Sequence, residues 1–191
     1  MRKVTYSMGM SLDGFIVDAH GAFDWAAPSE EVFRQSLDEI RDVGVHLMGR
    51  RLYETMRYWE TTDEASFDEL EREWAGLWNP LPKLVFSRTL TEVQGNARLA
   101  TRSVADEVAR LRAEPADGDI AIGGATLAVE AARLGLIDEY LIRVFPILVG
   151  GGLPFFARNQ RQVELELIES RVLDGGVVFS HYRRRADAEV R

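Results

Sequence analysis

The chain contains no cysteine among its 191 residues. Disulfides, thiol nucleophiles and zinc–thiolate centres are excluded together. Histidine is scarce, and His20, His46 and His181 are too scattered to read as a metal site, so no metal is expected. No apolar run approaches the roughly 20 residues that a bilayer helix needs, which removes the membrane as a partner. Positive charge is in the minority, with 23 Lys and Arg against 31 Asp and Glu and a net charge of −8. The one basic cluster, Arg183-Arg184-Arg185, adjoins an acid-containing tail, and no basic stripe marks a nucleic-acid groove. The opening Met1-Arg2-Lys3-Val4-Thr5-Tyr6 lacks the long apolar stretch and cleavage site of a signal peptide. With the absence of cysteine, this sets a cytoplasmic protein as the expectation.

Hydrophobic residues make up 46% of the chain, enough to fill a core. The length suits one domain, placed at residues 1–185, with 186–191 as a frayed tail. Val4, Tyr6, Met8 and Met10 alternate with Thr5, Ser7, Gly9 and Ser11, the period of a strand. Asp13-Gly14 breaks it, and residues 13–28 read as a long loop. Ser29 is the expected N-cap of a helix carrying Phe33, Leu37 and Ile40 on one face and ending at Gly44. Val45 to Met48 reads as a buried strand. Residues 60–80 read as one amphipathic helix, closed by Asn79-Pro80. Strands are expected at Lys83 to Phe86, near 97–100, at Ile120 to Ile122 and over 139–149. Helices are expected around Val104, Val108 and Leu111, and from Gly124 to Gly135. Val163, Leu165 and Leu167 should pair with Val177, Phe179 and His181 in a hairpin turned by Asp174-Gly175-Gly176. Strands alternating with helices predict an α/β domain with a mixed, mostly parallel sheet covered on both faces.

Three of these strands end alike. Met48 runs into Gly49-Arg50-Arg51, Phe86 into Ser87-Arg88, and Ile122 into Gly123-Gly124-Ala125-Thr126. Ligands of open α/β sheets sit outside the carboxyl ends of the strands. Glycines at a helix start let backbone N–H groups approach a phosphate, and guanidinium groups bind phosphate in bidentate fashion. Glycines after strands also make plain turns, the bland alternative. Neither the G-x-G-x-x-G fingerprint nor the P-loop is present.

Taken in order, Met10-Ser11-Leu12-Asp13-Gly14, Met48-Gly49-Arg50-Arg51-Leu52-Tyr53-Glu54, Phe86-Ser87-Arg88, Ile122-Gly123-Gly124-Ala125-Thr126-Leu127 and Leu136-Ile137-Asp138-Glu139 resemble the dihydrofolate-reductase-like superfamily. Ser11-Leu12-Asp13-Gly14 and Pro146-Ile147-Leu148-Val149-Gly150 are most similar to bacterial stand-alone proteins built on the C-terminal reductase domain of the riboflavin-pathway deaminase-reductase. The resemblance covers residues 3–183. It implies a three-layer domain, a sheet of about eight strands with a C-terminal antiparallel hairpin, and NADPH as hydride donor. By the same resemblance Gly49, Arg50, Arg51, Ser87 and Arg88 face the cofactor's phosphates, and Gly123, Gly124, Ala125, Thr126 and Leu127 cradle its pyrophosphate. The loop from residue 16 to 25 would cover the nicotinamide with Ile16, with Phe23 and Trp25 beside the substrate.

The acceptor implied is a small nitrogen heterocycle, either an aminopyrimidine of the 5-amino-6-(5-phosphoribosylamino)uracil type or a pterin. Asp13 and Glu30 are the acids expected to position it and relay a proton. The alternatives for each are a plain Asp-Gly turn and a helix-start acid favoured by the dipole. Folate reductases carry an arginine before the strand equivalent to Lys83 to Phe86, where this chain has Pro80-Leu81-Pro82, and an aromatic ring where it has Arg34. The riboflavin enzyme joins its reductase to a zinc deaminase, which a cysteine-free chain does not contain. A non-catalytic NADP(H)-binding protein and a flavin-using reductase are the competing readings, and a homodimer joined through the C-terminal strands is implied by analogy.

Overall fold

The structure, a computed structural model, describes residues 1–156 and 162–185; the tail expected at 186–191 lies outside the described residues. The elements run β1 (Val4–Ser11), β2 (Phe15–Val17), α1 (Glu30–Arg41), β3 (Val43–Gly49), α2 (Arg50–Met56), α3 (Tyr58–Thr61), α4 (Glu69–Trp78), β4 (Lys83–Phe86) and β5 (Ala97–Leu99). They continue with α5 (Val104–Ala113), β6 (Asp119–Gly123), α6 (Ala125–Arg133), β7 (Glu139–Phe145), β8 (Leu153–Pro154), β9 (Leu165–Leu173) and β10 (Val177–Arg184). Eight strands form the main sheet in the order β5-β4-β3-β6-β1-β7-β10-β9. The first six lie parallel, while β10 pairs antiparallel with both β7 and β9. This is the expected mixed sheet with its C-terminal hairpin.

The alternation of β1 decides what each face carries. Val4 and Tyr6 enter a core with Val45, Leu47, Ile120 and Ile122, sealed by α5 and α6 through Val108, Leu111 and Ala128. On the other face α1, α2 and α4 pack through Ile40, Tyr53 and Trp78 onto Met48 and Val85. The N-terminal half of α1 contributes Val32 to a third cluster with Phe145, Leu173 and Phe179. Between these contacts β6 offers Ala121 and Gly123 and β1 offers Thr5, Ser7 and Gly9, and a hollow remains there.

Several expected boundaries shift. Helix α1 does start after Ser29, whose hydroxyl accepts from Val32 N, but it ends at Arg41. Gly44 lies inside β3, where a Cβ would sit 2.2 Å from the Asp117 carbonyl oxygen; the glycine serves a close backbone approach, not a helix stop. The single helix expected over 60–80 is three pieces: α3, a 3₁₀ turn at Glu64–Ser66 and α4. Asp63 and Asp68 break it, because their carboxylates cap backbone N–H groups of Ala65 and Glu71, and Asp68 forms a capping box with Glu71. The strand expected over 139–149 stops at Phe145, before Pro146, which has no N–H to continue a ladder. The loop over 13–28 contains β2, paired with β8, and a 3₁₀ turn at Asp24–Ala26. Val163 precedes its strand, and Leu167 is exposed because β9 is the sheet's edge.

Candidate active site

The three strand ends of interest come together. β4, β3 and β6 are neighbours, with Gly49 opposite Phe86 and Met48 opposite Gly123. Gly49, Ser87 and the Gly123-Gly124 turn therefore follow one another along a single carboxyl edge, over roughly 10 Å at ordinary strand spacing. Gly124 caps α6 at φ +85°, a conformation L side chains rarely adopt. A Cβ on Gly123 would meet Leu52 Cδ2 at 2.4 Å and His46 Cε1 at 2.6 Å. Ala125 and Leu127 are buried behind the turn, and Thr126 is exposed. Arg50, Arg51 and Arg88 are solvent-exposed. Arg50 reaches across the edge, with Nη1 on Thr89 Oγ1 at 2.9 Å and Nε on Glu54 at 2.7 Å. The Ser87 hydroxyl accepts from the amides of Thr89 and Leu90, which shapes the next turn.

Beside this edge the hollow under α1 opens as a groove of about 470 Å³. Gly123 belongs to both, closing one end of the groove and opening the turn into α6. The middle is polar. Ser7 Oγ donates to Glu39 Oε2 at 2.6 Å, Arg143 Nη1 donates to Ser7 Oγ at 3.1 Å, and Arg143 Nη2 lies 2.6 Å from Glu39 Oε1. At the far end Glu139 gathers His181 Nε2 and Arg183 Nε at 2.9 Å each, with Lys3 beyond. Burial alone would raise the Glu139 carboxyl, but Arg183, His181 and Lys3 together hold it below its ordinary range.

Trp74 and Trp78 wall the groove near His46, stacked at 14°, and His46 packs edge-on to Trp78. Burial, assisted by the Lys83 charge, pulls His46 down to about 4, so its imidazole is neutral at pH 7. Lys83 lies behind Trp78, donating to the Trp78 carbonyl at 2.8 Å and pairing with Glu60 at 3.1 Å.

The two acids singled out in the sequence sit elsewhere. Asp13 accepts from Ser11 Oγ at 2.6 Å, Gly150 N at 2.7 Å and Val149 N at 3.2 Å. The Ser11 hydroxyl, helped by those amides, keeps the carboxyl below its ordinary range and therefore ionised. Its geometry is that of a clasp on the glycine-rich turn before β8. Glu30 lies in the first turn of α1, exposed and paired with Arg34 one turn on at 2.8 Å. Neither lines the groove. Ile16 is buried in β2, Phe23 is exposed, and Trp25 packs edge-on against Phe145 at 6.0 Å. Gln35, Glu39, Ser7, Arg143 and His46, which do line the groove, were not marked by motif. The available signals were Gln35 one helical turn after Val32, and the small side chains alternating along β1.

The fold matches known proteins. The family model described as the RibD C-terminal domain matches residues 2–179. This chain belongs to the RibD C-terminal domain family. A relative from Bacillus subtilis, YyaP, is 28% identical over 178 residues, covering 93% of this chain and 92% of its own. A Shewanella protein with a provisional riboflavin-biosynthesis assignment has a crystal structure that superposes at TM-score 0.77, with 26% identity over 96% of this chain and 99% of its own. Dihydrofolate reductase from Enterococcus faecalis, solved with NADP(H), superposes at 0.59 with 15% identity over 96% and 97%, which shows the shared fold.

Proposed function

We propose that the protein is an NADPH-dependent reductase that delivers hydride to a small nitrogen heterocycle held in the groove under α1. The observation that carries this reading is the double membership of Gly123, which closes the groove and begins the edge formed with Gly49 and Ser87. A cofactor along that edge and an acceptor in that groove would touch at one point.

The residues fit a dinucleotide phosphate. The left-handed Gly124 leaves the α6 start without a side chain over it, and a Cβ at Gly49 would meet only open space. In this reading the Gly123 to Leu127 turn takes the pyrophosphate, while Arg50, Arg51, Ser87 and Arg88 take the 2′-phosphate side. Ile16 in β2 stands toward the nicotinamide, and Phe23 and Trp25 flank the acceptor's entrance. When bound, NADPH supplies the hydride. The chain's own part is to orient the acceptor and deliver a proton to its heteroatom as the carbon gains hydride. Water entering the open groove supplies that proton, and Ser7, whose own proton is held by Glu39, helps to orient the acceptor. Asp13 acts at one remove by fixing the turn that leads to β8, and Glu30 with Arg34 stands at the rim.

Thermal shift with NADPH and with NADH tests the cofactor. At about 100 Kd a ligand adds about 2.7 kcal/mol, or roughly 5–10 °C for a chain of this size. NADPH should raise Tm and NADH should not. Arg50→Ala or Arg88→Ala should weaken NADPH far more than NADH; equal losses refute the 2′-phosphate assignment. NADPH binding without oxidation across pterins and aminopyrimidines would favour a binding protein over a reductase.

A further inference from the structure

The strand-end edge carries its arginines on two segments, the start of α2 and the loop over 87–96 that leaves β4 and returns to β5. One stripe of side chains ties the two together. Arg50, Tyr53, Arg57 and Glu60 follow one another at intervals of three or four residues from α2 into α3, the spacing that brings side chains onto one helix face. All four meet the loop. Arg50 Nη1 donates to Thr89 Oγ1 at 2.9 Å. The Tyr53 hydroxyl accepts from Gln94 N at 2.7 Å, and Arg57 Nη2 donates to Gln94 Oε1 at 2.6 Å. Gly95 turns over Glu60 at φ +70°, where a Cβ would lie 2.4 Å from Glu60 Oε2. Glu60 is itself held from below by the buried Lys83 at 3.1 Å.

Tyr53 is the anchor with a fixed ring. It is 5% exposed and packs with Met48 and Val85, against which Leu90 and Val93 of the loop also pack. Gln94 is an exposed residue, so loss of this anchor opens the loop and leaves the core closed. A phosphate gripped by several guanidinium groups needs them to converge before it arrives, because every segment ordered on binding subtracts from affinity. Arg50 and Arg51 ride on α2, while Ser87 and Arg88 ride on the loop. The α6 start at Gly124 follows β6 and stands apart from these contacts.

We infer that Tyr53 is a positioning residue. Its hydroxyl holds the 87–96 loop so that Arg88 converges with Arg50 and Arg51 on a 2′-phosphate, and in this way it sets the preference for NADPH over NADH. The inference rests on the NADPH reading of the edge and adds to it a residue that no strand-end motif marks for this role.

Tyr53→Phe removes the hydroxyl and keeps the ring. Limited trypsin digestion without cofactor reads the loop itself, and cleavage after Arg88 should accelerate about fivefold. Calorimetric titration reads the coupling: NADPH should bind about fivefold more weakly, with NADH within about twofold of wild type. Circular dichroism and the far wall of the site, reported by the unchanged NADH affinity, separate this from general damage. Gly95→Ala forces a side chain against Glu60 from the loop's own side and should give the same selective loss. The double variant should add little to either single one, since both release one loop. The Tyr53→Phe result stands by itself should Gly95→Ala not fold. Unchanged cleavage at Arg88, unchanged NADPH affinity or equal losses for the two cofactors overturns the proposal and leaves the cofactor reading in place. A wild type that does not bind NADPH overturns both.

Discussion

Replacing Arg143 with Met tests whether the polar centre of the groove is an ion pair on which folding depends. The Arg143 side chain is 8% exposed and its partner Glu39 15%, with Nη2 to Oε1 at 2.6 Å and Ser7 bridging the two. Met keeps the length and apolar stem of arginine but leaves Glu39 and Ser7 facing each other in a half-enclosed cavity. Removing one partner of a buried pair costs about 3–5 kcal/mol, because the other charge is left uncompensated. For a chain of 150–250 residues that is a fall in Tm of about 6–20 °C. Glu39→Met should cost a similar amount. The double variant should cost much less than the sum, since replacing both charges by apolar groups removes the desolvation penalty with the attraction. Urea unfolding followed by circular dichroism gives the cycle, provided the m-value is unchanged across the four proteins. A loss under about 1 kcal/mol in either single variant, or strict additivity in the double, refutes the argument and makes the pair a solvated surface contact.

Two further predictions concern the framework. Ser29→Ala removes the side-chain cap on Val32 N and should cost about 1 kcal/mol, read as a shift in urea midpoint; a change within error would mean that water caps α1 equally well. His46 has a folded value near 4 against an unfolded value of 6.5, both at the neutral end above pH 6.5. Between those values the unfolded chain binds the extra proton, so stability is full above pH 6.5, declines as pH falls toward 4, and levels below it. The decline amounts to roughly 3 kcal/mol and should disappear in His46→Phe, whose unfolding free energy is then compared across pH 4–7.

Much of the fold was legible because it follows from local patterns. The alternation along β1 marked it as a strand, Ser29 marked the start of α1, and Gly123-Gly124 marked the turn into α6. The boundary shifts have two physical sources: local ones, the caps of Asp63 and Asp68 and the missing N–H of Pro146, and contacts with segments far away in sequence. Gly44 looked like a helix stop because nothing nearby shows that Asp117 passes within 2.2 Å of its Cβ position. Asp13 reads as an acid that positions the acceptor or as a plain Asp-Gly turn, and its clasp on Val149 and Gly150 shows in neither reading, because those partners lie 136 and 137 residues away. The groove was less visible still. Ser7, Glu39 and Arg143 are ordinary residues in three separate elements, and each becomes part of a site only through the β1–β7 pairing and the position of α1 above it. Motif spacing marks the strand-end edge at Gly49, Ser87 and Gly123 because tight turns demand particular residues. A groove makes no such demand on any single segment.

What makes the groove is an omission, and that gives it a test of its own. Across β6 and β1 the face toward α1 carries Ala121, Gly123, Thr5, Ser7 and Gly9, while the opposite face of the same strands carries Ile120, Ile122, Val4 and Tyr6. A sheet selected only for stability would fill both sides. Ala121→Leu puts an aliphatic side chain into the hollow from a position only 7% exposed, beside His46 in register. If the space is a binding site kept open at the expense of packing, the added apolar contact should leave stability within about 1 kcal/mol of wild type or raise it. Ring-compound quenching of Trp74 and Trp78 should be lost at the same time. NADPH binding should persist, because the cofactor edge at Gly49, Ser87 and Gly124 is untouched. Destabilisation by several kcal/mol would mean that the layer is already packed to its limit. Retained ring binding would mean that ligands enter elsewhere. Loss of NADPH together with the ring would mean that groove and edge do not act as separable halves of one site.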